Sequence, residues 1–256
     1  MLVLPAWLPS AADAPRDGFD VVVVDAGHGG DDEGARGRAG GLEKDVVLEV
    51  ARGLAEALRG RGVRVVMTRD LDAFVSLEER THIANDSRGD LFISVHANAA
   101  DDSDIGGTET FFLSLDATDD SARRVAAREN EALGTAKLLR RASDDPLVAI
   151  LGDMIATEHL HESKAFARMA QERLGVEGAG GSRGVKQAPF VVLSGVQMPA
   201  SLVEIGFITN PADETRLRSA QGRRRVVAAL VEAVEEYRRR YDAQRGLAPT
   251  PARGER

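Results

Sequence analysis

An α/β fold built on a largely parallel sheet is predicted by three features of the sequence. Short, nearly unbroken apolar runs, FDVVVVDAG (19–27), VRVVMTR (63–69) and DLFISVHAN (90–98), have the length and composition of strands buried on both faces. Stretches with apolar residues at helical spacing separate them, giving the strand–helix–strand order of a parallel sheet. The chain has 256 residues, 43% of them hydrophobic, enough to bury a large core as one big domain or as a domain with an insertion.

The first run ends at Gly27. The helix that follows, EKDVVLEVARGLAEALRGRG, sets Val47, Val50, Leu54 and Leu58 on one face and stops at RGRG. VSLEERTHIANDS is a second amphipathic helix ahead of the third strand. GTETFFLS and PASLVEIGFITN supply later strands, and Val227, Leu230, Val234, Tyr237 and Tyr241 mark a closing helix. Residues 114–174 break the alternation: the pattern is helical twice over, interrupted at SDDP, with Leu147, Leu151, Met154 and Ile155 on one face of the second helix. This reads as a helical insertion between two sheet strands, placed where loops of α/β domains reach the functional edge.

The ends differ from the body, which is expected to be one domain over 19–243. MLVLPAWLPSAADA is apolar with a small-residue end but no basic start, so 1–18 reads as the remnant of a trimmed leader or a linker. Residues 244–256, rich in Pro, Gly and charge, are expected to form a disordered tail. A net charge of −8 argues against nucleic acid as a partner, since binding phosphates needs clustered Lys and Arg. QGRRRVV and YRRRY read as solvated faces of one helix. The absence of cysteine excludes disulfides, thiolate nucleophiles and Cys-ligated zinc, leaving His, Asp, Glu or amide oxygen for any metal. No apolar run approaches the ~18–20 residues of a transmembrane segment.

His28, Glu43 and His96 each fall at or just past a strand end or at a helix start, which brings them to one carboxyl-end edge of a parallel sheet. Two imidazoles and a carboxylate with an open fourth position form the catalytic zinc arrangement, in which water is acidified towards neutrality. Gly27, Gly29 and Gly30 would let a bulky substrate and the metal approach the backbone closely. Spacing alone equally allows His28 to cap a turn, Glu43 to start a helix and His96 to be a strand-end histidine held by hydrogen bonds.

Taken together and in order, VVVDAGHGGDDEGARG, GLEKDVVLEVARGLAEAL, VRVVMTRDLDAFVSLEERTHIAN, DLFISVHANA and ASLVEIGFITNPADETRL resemble the zinc-dependent N-acetylmuramoyl-L-alanine amidases of bacterial cell-wall remodelling, over most of residues 19–240. The resemblance implies a mixed six-stranded sheet flanked by helices, one Zn2+ per chain on His28, Glu43 and His96, and a catalytic glutamate at Glu204. It implies hydrolysis of the amide joining the lactyl group of N-acetylmuramic acid to L-alanine of the stem peptide. It also implies peptidoglycan as the partner of a monomeric chain in the periplasm or cell envelope. The chemistry agrees: a carboxylate ending a buried strand is costly unless partnered, and Glu204 could take a proton from water and pass it to the leaving amine. An ion pair with Arg183 is the structural alternative.

VAARENEAL resembles the helix that, in amidases acting at division sites, lies across the metal and contributes an inhibitory glutamate, here Glu129, until a partner with a degenerate LytM-type peptidase domain displaces it. The alternative is a passive helical cover with Glu129 solvated. Asn98 could reach the metal region, although some members of the family carry aspartate there. Arg183, Lys186 and Gln187 are candidate contacts for the acidic stem peptide. His82 reads as a packing or surface residue, and His159 and His161, two apart on a helix, do not share a face. Two other functions compete with the amidase: a zinc peptidase, which sacculus digestion would separate, and a non-catalytic wall-binding module, expected to lack one of the four metal or acid residues.

Overall fold

The computed structural model describes residues 18–131, 146–176 and 181–247, and the side chains of 146–157 lie outside that description. Nearly all of the segment 1–18 expected as a leader remnant or linker, the part of the expected tail from residue 248 on, and the face expected from Leu147, Leu151, Met154 and Ile155 therefore fall outside the described residues.

Six strands form one mixed sheet in the order β2-β1-β3-β6-β4-β5. They are β1 (Val21–Ala26), β2 (Arg64–Met67), β3 (Leu91–Asn98), β4 (Thr108–Leu113), β5 (Ser182–Ala188) and β6 (Ala200–Phe207). The first three and β6 run parallel, while β4 pairs antiparallel with β6 and parallel with β5. The central strands β1, β3 and β6 are buried along their whole length, which is why they read as unbroken apolar runs.

Side-chain alternation divides the core in two. Val22, Val24, Ile93, Val95, Val203 and Ile205 face one side. There they pack against α1 (Glu43–Gly60), α4 (Pro146–Gly175) and α7 (Ala220–Gln244), the last through Leu230, Val234 and Tyr237. Val23, Phe92, Leu202 and Phe111 face the other side, against α2 (Leu77–Ser87), α3 (Asp120–Asn130) and α5 (Val191–Ser194). Each fully buried aliphatic side chain contributes ~1.5–3 kcal/mol by leaving water, and the two layers hold the sheet edge rigid beneath the site. A short helix, α6 (Pro211–Arg218), follows β6.

Local chemistry sets the helix starts. Ser76 caps α2 by accepting from the Glu79 N–H, Asp119 caps α3 from Ala122, and Ser219 caps α7 from Gly222. Of the arginine runs Arg223–Arg225 and Arg238–Arg240 on α7 none is buried; Arg224, Arg225 and Arg239 are exposed, and Arg240 pairs with Glu162 of α4. That helix reaches Gln244, and the Leu247 N–H bonds the Asp242 carbonyl, so order extends into the segment expected as tail. Helices α3 and α4 stand between β4 and β5 in the chain.

Candidate metal centre

The chain leaves β1 into a loop with a costly backbone. His28 has φ 57, the left-handed region that side chains avoid. Two buried guanidiniums hold it there. Arg80 donates to the carbonyls of Ala26 and His28 and to Asp25 Oδ1, and Arg69 donates to the carbonyls of Ala26 and Gly27. Asp25, wholly buried, also accepts from Thr68 and Ser94 at 2.6 Å each. Burial pushes its carboxyl up, but Arg80 and the two hydroxyls outweigh this and hold it below the usual carboxylate range.

The protein's own packing requires Gly27, Gly29 and Gly30. A Cβ on Gly27 would overlap the His96 ring, and side chains at 29 and 30 would strike Ala73, Arg69 and Phe74.

Four side chains converge where β1, β3 and the N-terminus of α1 meet. His28 Nε2 lies 3.1 Å from Glu43 Oε1 and 3.2 Å from Glu129 Oε2. His96 Nδ1 lies 3.2 Å and 2.9 Å from the same two oxygens. All four ligand atoms fall within 4.8 Å of one another. His28 Nε2 and Glu129 Oε2 are buried yet make no geometrically sound hydrogen bond, so these atoms point at a common centre rather than at each other. The supporting shell is in place: Asp32 takes the other nitrogen of His28 at 2.9 Å, and Glu43 accepts from the amides of Ala35 and Ala97. Two imidazole nitrogens and carboxylate oxygens in this disposition fit a zinc ion.

Charge balance in the cluster follows from its geometry. Burial lowers the imidazole pKa values, but Glu43 beside His28 and Glu129 beside His96 reverse this, raising His28 strongly and His96 to about 10. Burial raises the carboxyls, and the imidazoles reverse that, taking Glu43 to about 2 through His28 and Glu129 well below its usual range through His96. Without a cation, two imidazolium and two carboxylate groups neutralise one another.

Glu204 is the Cα partner of His96 on β6, in parallel pairing, so the two side chains stand on the same face. Both its oxygens are buried and have no hydrogen-bond partner. Burial, followed by the Glu129 charge, raises it well above the usual carboxylate range. Arg183 does not pair with it. Its Nε bonds Glu109 at 2.7 Å, and Lys186 reaches the same oxygen at 3.0 Å. Asn98, also engaged by Glu109, takes the Arg128 guanidinium on its Oδ1 at 2.8 Å. Gln187 meets Thr118 through its main chain. Glu129 is buried, not solvated. His82 is 72% exposed and pairs with Asp86, and His159 and His161 stay outside the cluster. Sequence reasoning missed Asp32, Glu109, Arg128 and the Asp25–Arg80 pair. The available signal was a charged residue inside an otherwise apolar strand, as at Asp25 and Glu109.

Residues 22–236 match the N-acetylmuramoyl-L-alanine amidase family model. The chain is 36% identical over 229 residues to N-acetylmuramoyl-L-alanine amidase AmiA of Escherichia coli K12, covering 89% of this chain and 79% of that protein. It is 32% identical to AmiC of Escherichia coli O6:H1, covering 90% of this chain and 55% of that longer protein. Among solved structures, the catalytic domain of the amidase CwlV from Bacillus (Paenibacillus) polymyxa var. colistinus superposes with a TM-score of 0.64 at 27% identity, covering 86% of this chain and 98% of that one. AmiC2 of Nostoc punctiforme gives the same TM-score at 29% identity, covering 85% and 96%.

Proposed function

The chain belongs to the N-acetylmuramoyl-L-alanine amidase family, and from that premise we propose how its own side chains perform and restrain the reaction. It is a peptidoglycan hydrolase that cleaves the amide between N-acetylmuramic acid and L-alanine of the stem peptide. The observation that carries the proposal is the convergence of His28, Glu43, His96 and Glu129 on one point, with Glu204 alongside.

His28, Glu43 and His96 would hold one zinc ion in the working enzyme, and Glu129, converging on the same point, would exclude water from it in the closed state. A zinc ion so held supplies a Lewis acid that polarises the scissile carbonyl and acidifies water. Glu204 accepts a proton from the attacking water and delivers it to the alanyl nitrogen as the amide breaks. Its buried, unpartnered oxygens suit both transfers. Departure of Glu129 removes, after burial, the largest influence keeping Glu204 protonated, and so moves it towards the ionised form a base requires.

The catalytic domain spans 19–243; within the expected insertion 114–174, helix α3 is the part that keeps the enzyme closed, whereas the described part of α4 belongs to the core through Phe166, Ala170 and Leu174. An activator carrying a degenerate LytM-type peptidase domain would open it during daughter-cell separation. The reading places a monomeric protein in the periplasm or cell envelope. No described helix is long and apolar enough to cross a membrane. Digestion of purified sacculi tests the reaction: released stem peptides with a free L-alanine amine support it, and peptide-internal cleavage would indicate a zinc peptidase instead.

Two predictions concern the metal. His96→Ala leaves two domain ligands and is expected to lose zinc on purification, and stoichiometric zinc in that variant by elemental analysis would refute the ligand set. Because both imidazoles are raised, each carries a proton at neutral pH in the metal-free protein, and zinc must displace it. Zinc uptake should therefore release about two protons, and apparent affinity should rise with pH. Calorimetry in buffers of different ionisation enthalpy measures this, and uptake without proton release would contradict the charge state.

A further inference from the structure

We infer that the carbonyl oxygen of Ala99 and the amide oxygen of Asn98 form a subsite for backbone N–H groups of the stem peptide, and that Arg128 occupies it in the closed protein as a stand-in for substrate. The second half rests on the reading of α3 as a displaceable inhibitory helix.

Arg128 donates through Nη1 to Ala99 O at 2.7 Å and through Nη2 to Asn98 Oδ1 at 2.8 Å, while its Nε reaches Glu129 Oε1 at 3.1 Å. Glu129 and Arg128 thus enter the site together, one at the metal position and the other beside it. The acceptors belong to the end of β3 and remain when α3 leaves. Asn98 is 1% exposed and follows His96 by two residues on the same face of the strand.

Its orientation is built in. Asn98 Nδ2 donates to Glu109 Oε2 at 3.1 Å, and Arg183 and Lys186 hold Glu109 in turn. The amide cannot turn over without losing that bond, so its oxygen stays aimed at the site whether or not the guanidinium is there. Asn98 Oδ1 also accepts from the Ala99 N–H at 2.8 Å, which fixes it further and leaves its second lone pair, with the Ala99 carbonyl, for the guanidinium or for a donor that replaces it. Two neutral oxygens select N–H groups and reject carboxylates, so this subsite reads the peptide main chain. Glu109, by engaging Arg183 and Lys186, takes up the cations expected to bind acidic stem residues.

The test uses zinc-loaded protein carrying Glu204→Gln and Glu129→Ala, which binds without turnover, and the ligand N-acetylmuramoyl-L-alanyl-D-isoglutamine. Adding Arg128→Met is expected to tighten binding about tenfold by calorimetry, as a competing donor is lost. N-methylation of one of the two stem amides should erase that gain, and Asn98→Ala should remove the discrimination between parent and methylated ligands. Equal binding of parent and both methylated ligands, or no gain from Arg128→Met, overturns the subsite. The inhibitory reading fails separately, if Glu129→Ala with Glu204 intact digests sacculi no faster than the unaltered chain. The methylated-ligand comparison then still decides whether Asn98 and Ala99 bind peptide.

Discussion

Replacing Glu129 with alanine is expected to raise turnover of purified sacculi by up to about 100-fold with no partner present, since a closed state favoured by a few kcal/mol holds the open population to ~1% or below. Glu129 is buried and touches both imidazoles, at 3.2 and 2.9 Å. Its helix is held further by Ala122, Val125 and Ala126, packed in the cluster that contains Phe111 and Phe190. The substitution removes only the first of these contributions and leaves Arg128 on Asn98, while cutting out residues 116 to 172 would also strip Phe166 and Ala170 from the core beneath the sheet. The matching substitution at Glu131 should do far less, because that side chain is exposed and absent from the cluster. An unaltered chain as active as the Glu129→Ala variant would reduce the insertion to a passive cover.

The second large effect belongs to Glu204. In the activated background, Glu204→Gln should lower turnover by ~10²–10⁴-fold, the range typical of a positioned acid–base group. The substitution is nearly isosteric and removes no hydrogen bond, since neither oxygen makes one, so zinc content and thermal stability should stay close to those of the parent. Parent-like turnover on sacculi would exclude Glu204 as the base.

The central sheet was legible in the sequence because β1, β3 and β6 are buried on both faces and must be apolar almost throughout. The edge strand β5 was not: SRGVKQA is largely half-exposed and polar, so it carries no apolar run, and its partner β4 supplies the pairing. The positions of His28, Glu43, His96 and Glu204 followed from strand ends and from family resemblance. The shell behind them did not, because it consists of contacts between residues distant in the chain. Arg80 meets Asp25 across 55 positions and Arg183 meets Glu109 across 74. Composition could not distinguish a buried arginine that fixes a loop from a solvated one. The same limit applied to Arg183, where charge suggested Glu204 or an acidic substrate, and the register of β5 on β4 beside β6 put Glu109 within reach instead.

The order β2-β1-β3-β6-β4-β5 places the last strand made between two that precede it by roughly a hundred residues. Until synthesis passes Phe207, β3 and β4 each expose an unpaired edge, and His96 stands at the margin of a half sheet. Such non-local pairing is slow, because the intervening chain must close as a loop before any contact rewards it. Cooperative assembly therefore waits for the C-terminal part of the chain. A chain of this topology completes its candidate site only when β6 is in place, since Glu204, the proposed proton-transfer residue, lies on the strand that joins the two halves of the sheet.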